Sequence, residues 1–575
     1  MDRKEVAKIF EEIATLLELQ GANPFRIRAY HNGARAILNL EGDLEEWVHQ
    51  GKLDELAGIG ADLAKKIETL VDKGKLPFYD ELRRSVPKGL LELMQVPGLG
   101  GKKIRALHEK LGIASLSALK SACLSGEVEK LKGFGKKTQE NLLDALAHQE
   151  AYSKRHLFWE ALEEAETLIG KLRKIPGIVE VEIAGSLRRG CETIGDIDIL
   201  IGTDDPEGVA KKILTKLKPS RLMARGSAKI TLRLPEGMQA DLRFIAPEQF
   251  GFALAYFTGS KEHNIRMRER AIARGWRLSE YGLEGKKSPF SNKAKAPTEK
   301  DIFHALGLPY IPPELREDLG EFAAAEKGEL PHLVEEGDLR GAFHNHTSAS
   351  DGENTLEEMV KAAENLGWEY IGISDHSRSS FQANGLSEER VLSQVDKIHK
   401  LNSSKRFSTH IFTGIECDIL RTGELDFPDS LLKKLDFVII SVHNALQQDE
   451  KTMTARLIRA IENPYTTMVG HVTGRLLLRR EACKLNLNKV IDACAANGKI
   501  IELNAQSKRL DMDWRWWRSA KEKGVLCSIN PDAHHTSDLL YLRAGIKIAR
   551  KGWLEAKNIF NTRSLAEVSR FLSRR

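Results

Sequence analysis

AGSLRRGCETIGDIDILIG, residues 184–202, opens on a small-residue turn and closes on a strand in which acids alternate with isoleucines. Alternation of period two puts Asp196 and Asp198 on one face and Ile197 and Ile199 on the other. Two carboxylates side by side repel, and unless water screens them the repulsion calls for a cation. A third acid, Asp241, stands in MQADLRFI (238–245), on a strand able to lie alongside. Three acids on one sheet face suit hard divalent ions such as Mg²⁺, which take oxygen ligands and stay free to accept substrate phosphates. Taken alone, Asp196 and Asp198 read first as a charged sheet edge. Gly185 and Ser186, ahead of Arg188 and Arg189, weigh against that reading because they add donors fit for a triphosphate.

The chain of 575 residues is too long for one hydrophobic core, and 41% hydrophobic content is ordinary for a globular protein, so several domains are expected. No stretch approaches the ~20 apolar residues of a membrane span, and MDRKEVAKIFEEIATLLELQ reads as an amphipathic helix with acidic groups, unlike a signal peptide. These features predict a cytoplasmic location with no membrane partner. The six cysteines form no CxxC pair and read as buried thiols. Net charge is +5, and the whole excess lies in residues 1–317, with 51 basic against 46 acidic; residues 318–575 balance at 36 each. The excess is densest at 101–150 and 251–300, as expected of surfaces that neutralise phosphates.

Upstream of the acids, LAGIGADLAKKI (from 56), VPGLGGKKIRAL (from 96) and LKGFGKKTQENL (from 131) repeat one pattern of hydrophobic residue, Gly-x-Gly and helix. The glycines permit a tight turn, and the helix start offers N–H groups to an anion. A single copy would be a plain helix connection, whereas three with Lys or Arg close behind favour contact with a DNA backbone. The segments resemble helix-hairpin-helix motifs.

Downstream, KKSPFSNKAKAPT (286–298) is a polar loop, GLPYIPPELRED (307–318) has the prolines of a domain end, and 318–337 reads as a linker. Seven strand-like stretches then alternate with helical ones: LRGAFHNH, YIGISDHS, HIFTGIECDI, DFVIISVHN, TTMVGHVTG, KIIELNAQ and VLCSINPDAH. The rhythm predicts a parallel barrel. Six of these strands end in His344 and His346, Asp375 and His376, Glu416, His443, His471, and Asp532 with His534, while Asp351 follows the first across a short turn. Active sites of such folds gather at the C-terminal ends of strands. Single histidines are often core residues, but that does not explain a set that tracks strand ends. Imidazoles with carboxylates suit Zn²⁺, Mn²⁺ or Fe²⁺ better than Mg²⁺.

GSLRRGCETIGDID, followed by ADLRFIAPEQFGFALAYFTGSKEHN, resembles the palm and thumb of family X DNA polymerases, the DNA polymerase beta group, over residues 1 to about 317. The resemblance implies a helical DNA-binding domain at 1–85, fingers at 86–150, a nucleotidyltransferase palm at 151–245 and a thumb at 246–317. It implies two Mg²⁺ or Mn²⁺ ions on Asp196, Asp198 and Asp241, a triphosphate on Gly185, Ser186 and Arg189, the sugar beside Tyr256, Phe257, Thr258 and Gly259, and Asn264 at the nascent base pair. Core packing is the competing reading for Tyr256 and Phe257. Where the family member with the best-known palm has a basic residue two positions before the third aspartate, this chain has Gln239. Lys66 matches the position of the Schiff-base lysine of the lyase region, but Asp62 replaces a lysine one turn earlier. A solvated lysine is as good a reading.

Residues 338–575 resemble the PHP domain, the polymerase and histidinol phosphatase superfamily, a distorted (β/α)7 barrel. That resemblance implies three ions: one on His344, His346, Glu416 and Asp532, one on Glu416, His443 and His471, and one on Asp351, His376 and His534. Asp375 is expected to orient His376 or its neighbours. Arg378, Arg421 and Arg475 are candidate phosphate clamps. Trp514, Trp516 and Trp517 could stack bases, although helix packing is the simpler reading, and Cys417 and Cys527 read as small buried hydrophobes.

The whole is read as a multidomain α/β bacterial or archaeal repair polymerase, monomeric and associated with the nucleoid. Its substrates would be deoxynucleoside triphosphates and gapped or primer-template DNA, and its barrel would be a 3′ to 5′ exonuclease with abasic-site cleavage and 3′-end processing as further activities. The competing readings are a barrel that hydrolyses pyrophosphate or small phosphoesters, a non-catalytic DNA scaffold, and a template-independent nucleotidyltransferase.

Overall fold

The computed structural model describes residues 3–38, 44–56, 58–93, 96, 99–152, 155–217, 219–290 and 296–573, and the chain falls into two compact units, 1–154 and 155–575. The first is helical. Helix α1 (Arg3–Leu19) buries Val6, Phe10, Ile13 and Leu17, the stripe that helical periodicity demands. The repeated hydrophobic–Gly-x-Gly segments deliver α2 (Ala61–Lys73), α3 (Gly101–Leu111) and α4 (Lys136–Tyr152). Gly58 (φ +97°) and Gly133 (φ +94°) take turn conformations that a Cβ would strain. Gly60 and Gly100 cap α2 and α3 without a side chain, so no side-chain oxygen of the cap residue takes up the first-turn N–H groups there. Ala57, Pro97 and Gly98 of the repeated segments lie outside the described residues.

The second unit begins with α5 (Phe158–Leu172), which packs on a five-stranded sheet. Its strands are β1 (Glu180–Ile183), β2 (Ile197–Gly202), β3 (Arg221–Arg225), β4 (Lys229–Arg233) and β5 (Gln239–Ile245), in spatial order β1-β2-β5-β4-β3. Only β2 and β5 run parallel, and their register sets Asp198 opposite Asp241. Between β1 and β2 sits the short helix α6 (Gly185–Arg188). Ile197, Ile199 and Ile201 are fully buried in the core shared with α5, so the other face of β2 is left to the acids. Edge strand β3 is exposed throughout. The thumb follows with α7 (Phe250–Thr258) and α8 (Lys261–Ile272), built around Phe252, Phe303, Ile311 and Phe322. The predicted polar loop includes Ser291 to Lys295, which lie outside the described residues.

The stretch 318–337, read as a linker, is not free chain. It forms α9 (Glu321–Lys327), whose Phe322 and Ala325 enter the thumb core. The fully buried Glu321 meets His263 Nδ1 at 2.8 Å. Its sequence, EFAAAEK, is short and amphipathic, and a proline-rich approach masks that signal.

All seven predicted barrel strands form: β6 (Gly341–Ala342), β7 (Tyr370–Ile373), β8 (His410–Asp418), β9 (Phe437–Ser441), β10 (Met468–Val469), β11 (Ile500–Asn504) and β12 (Cys527–Asn530). They pair in chain order, all parallel. A parallel bridge between Asn345 and Ala533 brings the first and last strands together. The barrel interior is plugged by aromatic rings. Phe343 meets Phe437 at 5.3 Å although their strands are not neighbours, so the contact crosses the interior. Tyr370, Phe412 and Phe560 complete the layer, and a Cβ at Gly414 would lie 2.2 Å from the Phe437 ring. After β12 the chain ends in helices, among them α10 (Leu542–Lys551).

Candidate functional site

The palm carries the first cluster. Asp196 enters β2, Asp198 lies on it and Asp241 faces Asp198 from β5, with one oxygen of each within 4.8 Å of the others. Burial, and then the charge of Asp196, push the Asp198 carboxyl up to about 6, the signature of acids gathered for a cation. Asp241 is held on three sides, by Thr231 Oγ1 at 2.8 Å, by Gln239 Nε2 at 3.4 Å and by an ion pair with Lys229. Lys229 escaped the reading of the sequence. The antiparallel pairing of β4 with β5 sets Thr231 opposite Asp241 and Lys229 opposite Arg243, so Lys229 reaches the triad from the next strand. A basic group is therefore present despite Gln239.

The turn before β2 adapts to the acids. Gly185 has φ +63°, and a Cβ there would sit 2.2 Å from Asp198 Oδ2; on both counts the position requires glycine. Ser186 follows in α6 and is partly exposed. Arg188 makes two hydrogen bonds to Glu299, at 2.6 and 2.9 Å, and one to Thr258 Oγ1 at 2.7 Å. Arg189 donates to Glu317 at 3.0 Å and to the Thr258 carbonyl at 2.9 Å. Both arginines thus tie the palm turn to the thumb. Tyr256 and Phe257 pack edge to face at 5.1 Å, partly exposed, with the Arg243 guanidinium 4.3 Å from the Phe257 ring. Asn264 Nδ2 donates to the Tyr256 carbonyl at 2.7 Å and the Gly259 carbonyl at 3.2 Å, fixing the end of α7. A side chain at Gly259 would strike Asn264 Oδ1 at 2.6 Å.

The second cluster lies at the C-terminal ends of the barrel strands. Glu416, 1% exposed, is its centre. Its Oε2 faces His376 Nδ1 at 2.9 Å and His344 Nε2 at 3.3 Å, and its Oε1 faces His471 Nε2 at 2.9 Å and His443 Nε2 at 3.3 Å. Asp532 reaches His346 at 3.3 Å and His344 at 3.7 Å, and Asp351 reaches His534 at 3.4 Å and His376 at 3.6 Å. Ligand atoms gather tightly in three groups among the described residues: His344, His346 and Glu416; His376, Glu416 and His443; and His346, Asp351, His376 and His534. This differs from the expected partition in that His376 joins the Glu416–His443 group and His346 the Asp351 group, while Asp532 and His471, expected in the first and second sets, border those groups without falling inside them. Both rings lie between neighbouring sets.

Charge follows the same pattern. Burial opposes ionisation of Glu416, yet His344, His443 and His376 outweigh it and hold the carboxyl well below its ordinary value. Burial likewise opposes protonation of His344, but Glu502, Glu416 and Asp532 raise it well above the usual imidazole range. Burial, and then Arg509, push His471 down to about 4. Asp532 (φ +51°) and His471 (φ +22°) occupy the left-handed region, uncommon for such residues and frequent at functional sites.

These donors fit a set of divalent cations. His344 Nε2, both ring nitrogens of His346, His376 Nδ1 and Glu416 Oε2 are buried and make no hydrogen bond, a cost that coordination would offset. The sixth strand, which ends in no expected ligand, orients the others. Glu502 accepts from His344 Nδ1 at 2.7 Å and from the His471 backbone N–H at 2.7 Å, and Asn504 donates to Asp532 at 3.0 Å. Asp418 does the same for His443 Nδ1, at 2.9 Å. Asp375 takes hydrogen bonds from Thr347, Ser350 and Gln394, anchoring the loop that bears Asp351 and leaving the His376 ring to Glu416.

The remaining candidates divide. Arg475 is largely buried against Glu192 and Asp513, so it braces the fold and is no phosphate clamp. Arg378 is half-exposed and pairs with Asp426 and Glu388, and Arg421 is exposed. Trp517 is fully buried and Trp514 nearly so, which bears out helix packing. Cys417 and Cys527 are buried free thiols. In the helical unit, Lys66 pairs with Asp62 and lies 5.3 Å from the Phe78 ring centre. Among the described residues no helix is long and apolar enough to cross a membrane.

Comparison with known proteins agrees with this geometry. Models of a helix-hairpin-helix domain match residues 1–76, a SAM-like helix-hairpin-helix tandem 90–147, the DNA polymerase beta palm 159–241, the DNA polymerase beta thumb 253–317 and the PHP domain 342–506. The DNA polymerase/3′-5′ exonuclease PolX of Bacillus subtilis (strain 168) is 37% identical over 577 residues, covering all of both chains. DNA polymerase lambda of Rattus norvegicus is 30% identical over 54% of this chain and 56% of its own. A probable phosphatase of Thermoanaerobacter sp. (strain X514) is 28% identical over 38% of this chain and 89% of its own. With polymerase-type palm and thumb joined to a seven-stranded ligand-bearing barrel, and a relative that matches end to end, the chain belongs to the family X DNA polymerases that carry a PHP domain.

Proposed function

We propose that this chain fills short gaps in DNA during repair and that its barrel removes nucleotides from 3′ ends. The observation that carries the reading is the presence, in one compact unit, of two separate cages, one of oxygens alone and one rich in imidazole. In the palm, Asp196, Asp198 and Asp241 would hold two Mg²⁺ or Mn²⁺ ions. Ser186 and Arg189 bind the triphosphate, Tyr256, Phe257 and Gly259 restrict the sugar, and Asn264 holds the backbone of that wall. In the barrel, His344, His346, Asp351, His376, Glu416, His443, His471, Asp532 and His534 would hold up to three Mn²⁺, Zn²⁺ or Fe²⁺ ions. Such ions, when bound, ease deprotonation of the attacking hydroxyl or water and stabilise charge on the phosphate. The protein keeps these donors fixed: Lys229 and Thr231 set Asp241, Glu502 sets His344, and Asp418 sets His443. The helix-hairpin-helix turns grip backbone phosphates without reading bases. On this reading the protein acts in the cytoplasm, on chromosomal DNA, and abasic-site cleavage would use the same barrel.

One experiment tests the assignment. On gapped DNA with Mn²⁺, Asp198→Ala abolishes extension and spares 3′ digestion, and His344→Ala does the reverse. Loss of both activities from either change, in folded protein, refutes the two-site reading. The likeness to a probable phosphatase favours a second reading of the barrel as a hydrolase of small phosphoesters. Release of phosphate from pyrophosphate or nucleotides by the Asp198→Ala chain, without digestion of labelled DNA, would establish it.

A further inference from the structure

The turn that leads into the palm cage is held from outside the palm. Lys551, the last residue of α10 in the barrel, is 2% exposed. Its Nζ donates to the Arg189 carbonyl at 3.2 Å and pairs with Glu317 Oε1. The same Oε1 accepts from Arg189 Nε at 3.0 Å. One turn earlier on α10, Lys547 packs against Gly190, where an added Cβ would lie 3.5 Å away, and its Nζ pairs with Glu314 at 2.8 Å. Beyond Gly190, Glu192 pairs with Arg475, itself fixed by Asp513 at 2.9 Å and the Arg509 carbonyl at 3.0 Å. Barrel side chains therefore grip residues 189–192 from both ends.

A lysine is costly to bury, and a buried one is explained by what it balances. Arg189 and Glu317 alone would form a neutral pair, with the guanidinium's field spent on the carboxylate. Lys551 makes the cluster net positive by one charge and divides the pull of Glu317. Burial opposes ionisation of Glu317, but Lys551 and then Arg189 keep its carboxyl below the ordinary range, so the cluster stays charged at working pH. Arg189 Nη2 is engaged only weakly by comparison, donating to Cys191 Sγ at 3.9 Å, and a thiol is a poor acceptor that a phosphate oxygen would displace. A weakly held donor on a net-positive cluster, carried by the turn whose Gly185 abuts Asp198, suits a polyanion brought in with cations.

We propose that Lys551 of the PHP barrel is a positioning residue of the polymerase site: by sharing Glu317 with Arg189 and pinning the Arg189 carbonyl, it presents the Gly185–Gly190 turn to the incoming nucleoside triphosphate. The proposal rests on the reading of Arg189 as a triphosphate contact. It makes the barrel part of the nucleotide site as well as a nuclease.

The test is single-nucleotide insertion on gapped DNA by the full chain, titrated with deoxynucleoside triphosphate, with digestion of single-stranded DNA followed in parallel. Lys551→Met is expected to raise KM for the nucleotide roughly tenfold, as when one charge-assisted contact weakens, with kcat changed less than about twofold and digestion unchanged. Lys551→Arg restores KM. Adding Glu317→Gln to Lys551→Met recovers most of the loss, because the neutral amide no longer draws on Arg189; a merely structural Lys551 would make the double change worse. An unmoved KM in Lys551→Met, or equal losses of insertion and digestion, overturns the proposal. Arg189→Ala separates the two readings: if it leaves KM unmoved, the assignment of Arg189 falls and the proposal with it, whereas if it raises KM while Lys551→Met does not, the proposal alone falls.

Discussion

Glu502 Oε1 accepts a hydrogen bond from His344 Nδ1 at 2.7 Å, and the contact decides which nitrogen of that ring faces Glu416. A carboxylate only accepts, so Nδ1 carries the proton and Nε2 is turned towards the site. Glu502→Gln should weaken metal binding by the barrel about 10- to 100-fold. Calorimetric titration with Mn²⁺ checks it, with 3′ digestion falling in step and gap extension retained. Unchanged Mn²⁺ affinity would show that the contact does not govern the ring.

Lys229 sits beside Asp241 and helps to lower the Asp198 carboxyl, which burial and Asp196 raise to about 6. Removing a positive neighbour raises a carboxylate's pKa, so more of Asp198 is protonated at a given acid pH. In Lys229→Met the acid limb of the extension rate should move up by roughly half to one pH unit. Single-nucleotide insertion measured between about pH 5.5 and 8.5 reads the shift directly; a limb that stays in place or moves down counts against this role.

Glu314, 1% exposed, joins thumb to barrel through Lys547 and Arg550. Burial disfavours its charge, but the two cations win and hold the carboxyl at about 2. A depressed carboxyl contributes stability above its unfolded value, here 4.5, and loses it as pH falls towards about 2. At neutral pH the contribution is roughly 3 kcal/mol. Glu314→Gln should therefore be markedly less stable than the parent at pH 7, and the gap should narrow steadily below about pH 4.5. Thermal melts across that range decide the matter, since a pH-independent gap would mean packing and not charge.

Trp517 is fully buried, and a Cβ at Gly552 would lie 2.9 Å from its own Cβ. Truncation leaves a cavity that the close backbone cannot fill, so Trp517→Ala should cost about 3–5 kcal/mol in denaturant unfolding. Affinity for single-stranded DNA at temperatures where the variant is folded should be unchanged. Loss of DNA affinity without loss of stability would restore the base-stacking reading.

Residues whose chemistry coincides with a local pattern could be read directly from the chain. The acids of β2 and β5 announce themselves by alternation, and the barrel histidines by their place at strand ends. The residues that steady them do not. Glu502 lies in KIIELNAQ as one acid in an apolar strand, and nothing local separates it from a stray charge. Lys229 acts on Asp241 only through the pairing of β4 with β5, which periodicity cannot supply. Arg475 carried the right charge in the right kind of loop, but its partner, Glu192, is 283 positions away. The helix within 318–337 was hidden because its burial depends on a thumb core assembled from residues before and after it.

The barrel adds its strands in chain order, and the last of them delivers Asp532 and His534. On a ribosome, the palm sheet is therefore complete long before the hydrolytic centre can exist. A chain cut before that strand would keep the palm acids but lack Asp532 and His534 of the proposed barrel cage, so the destructive half of the enzyme is expected only once the last strand has met the first.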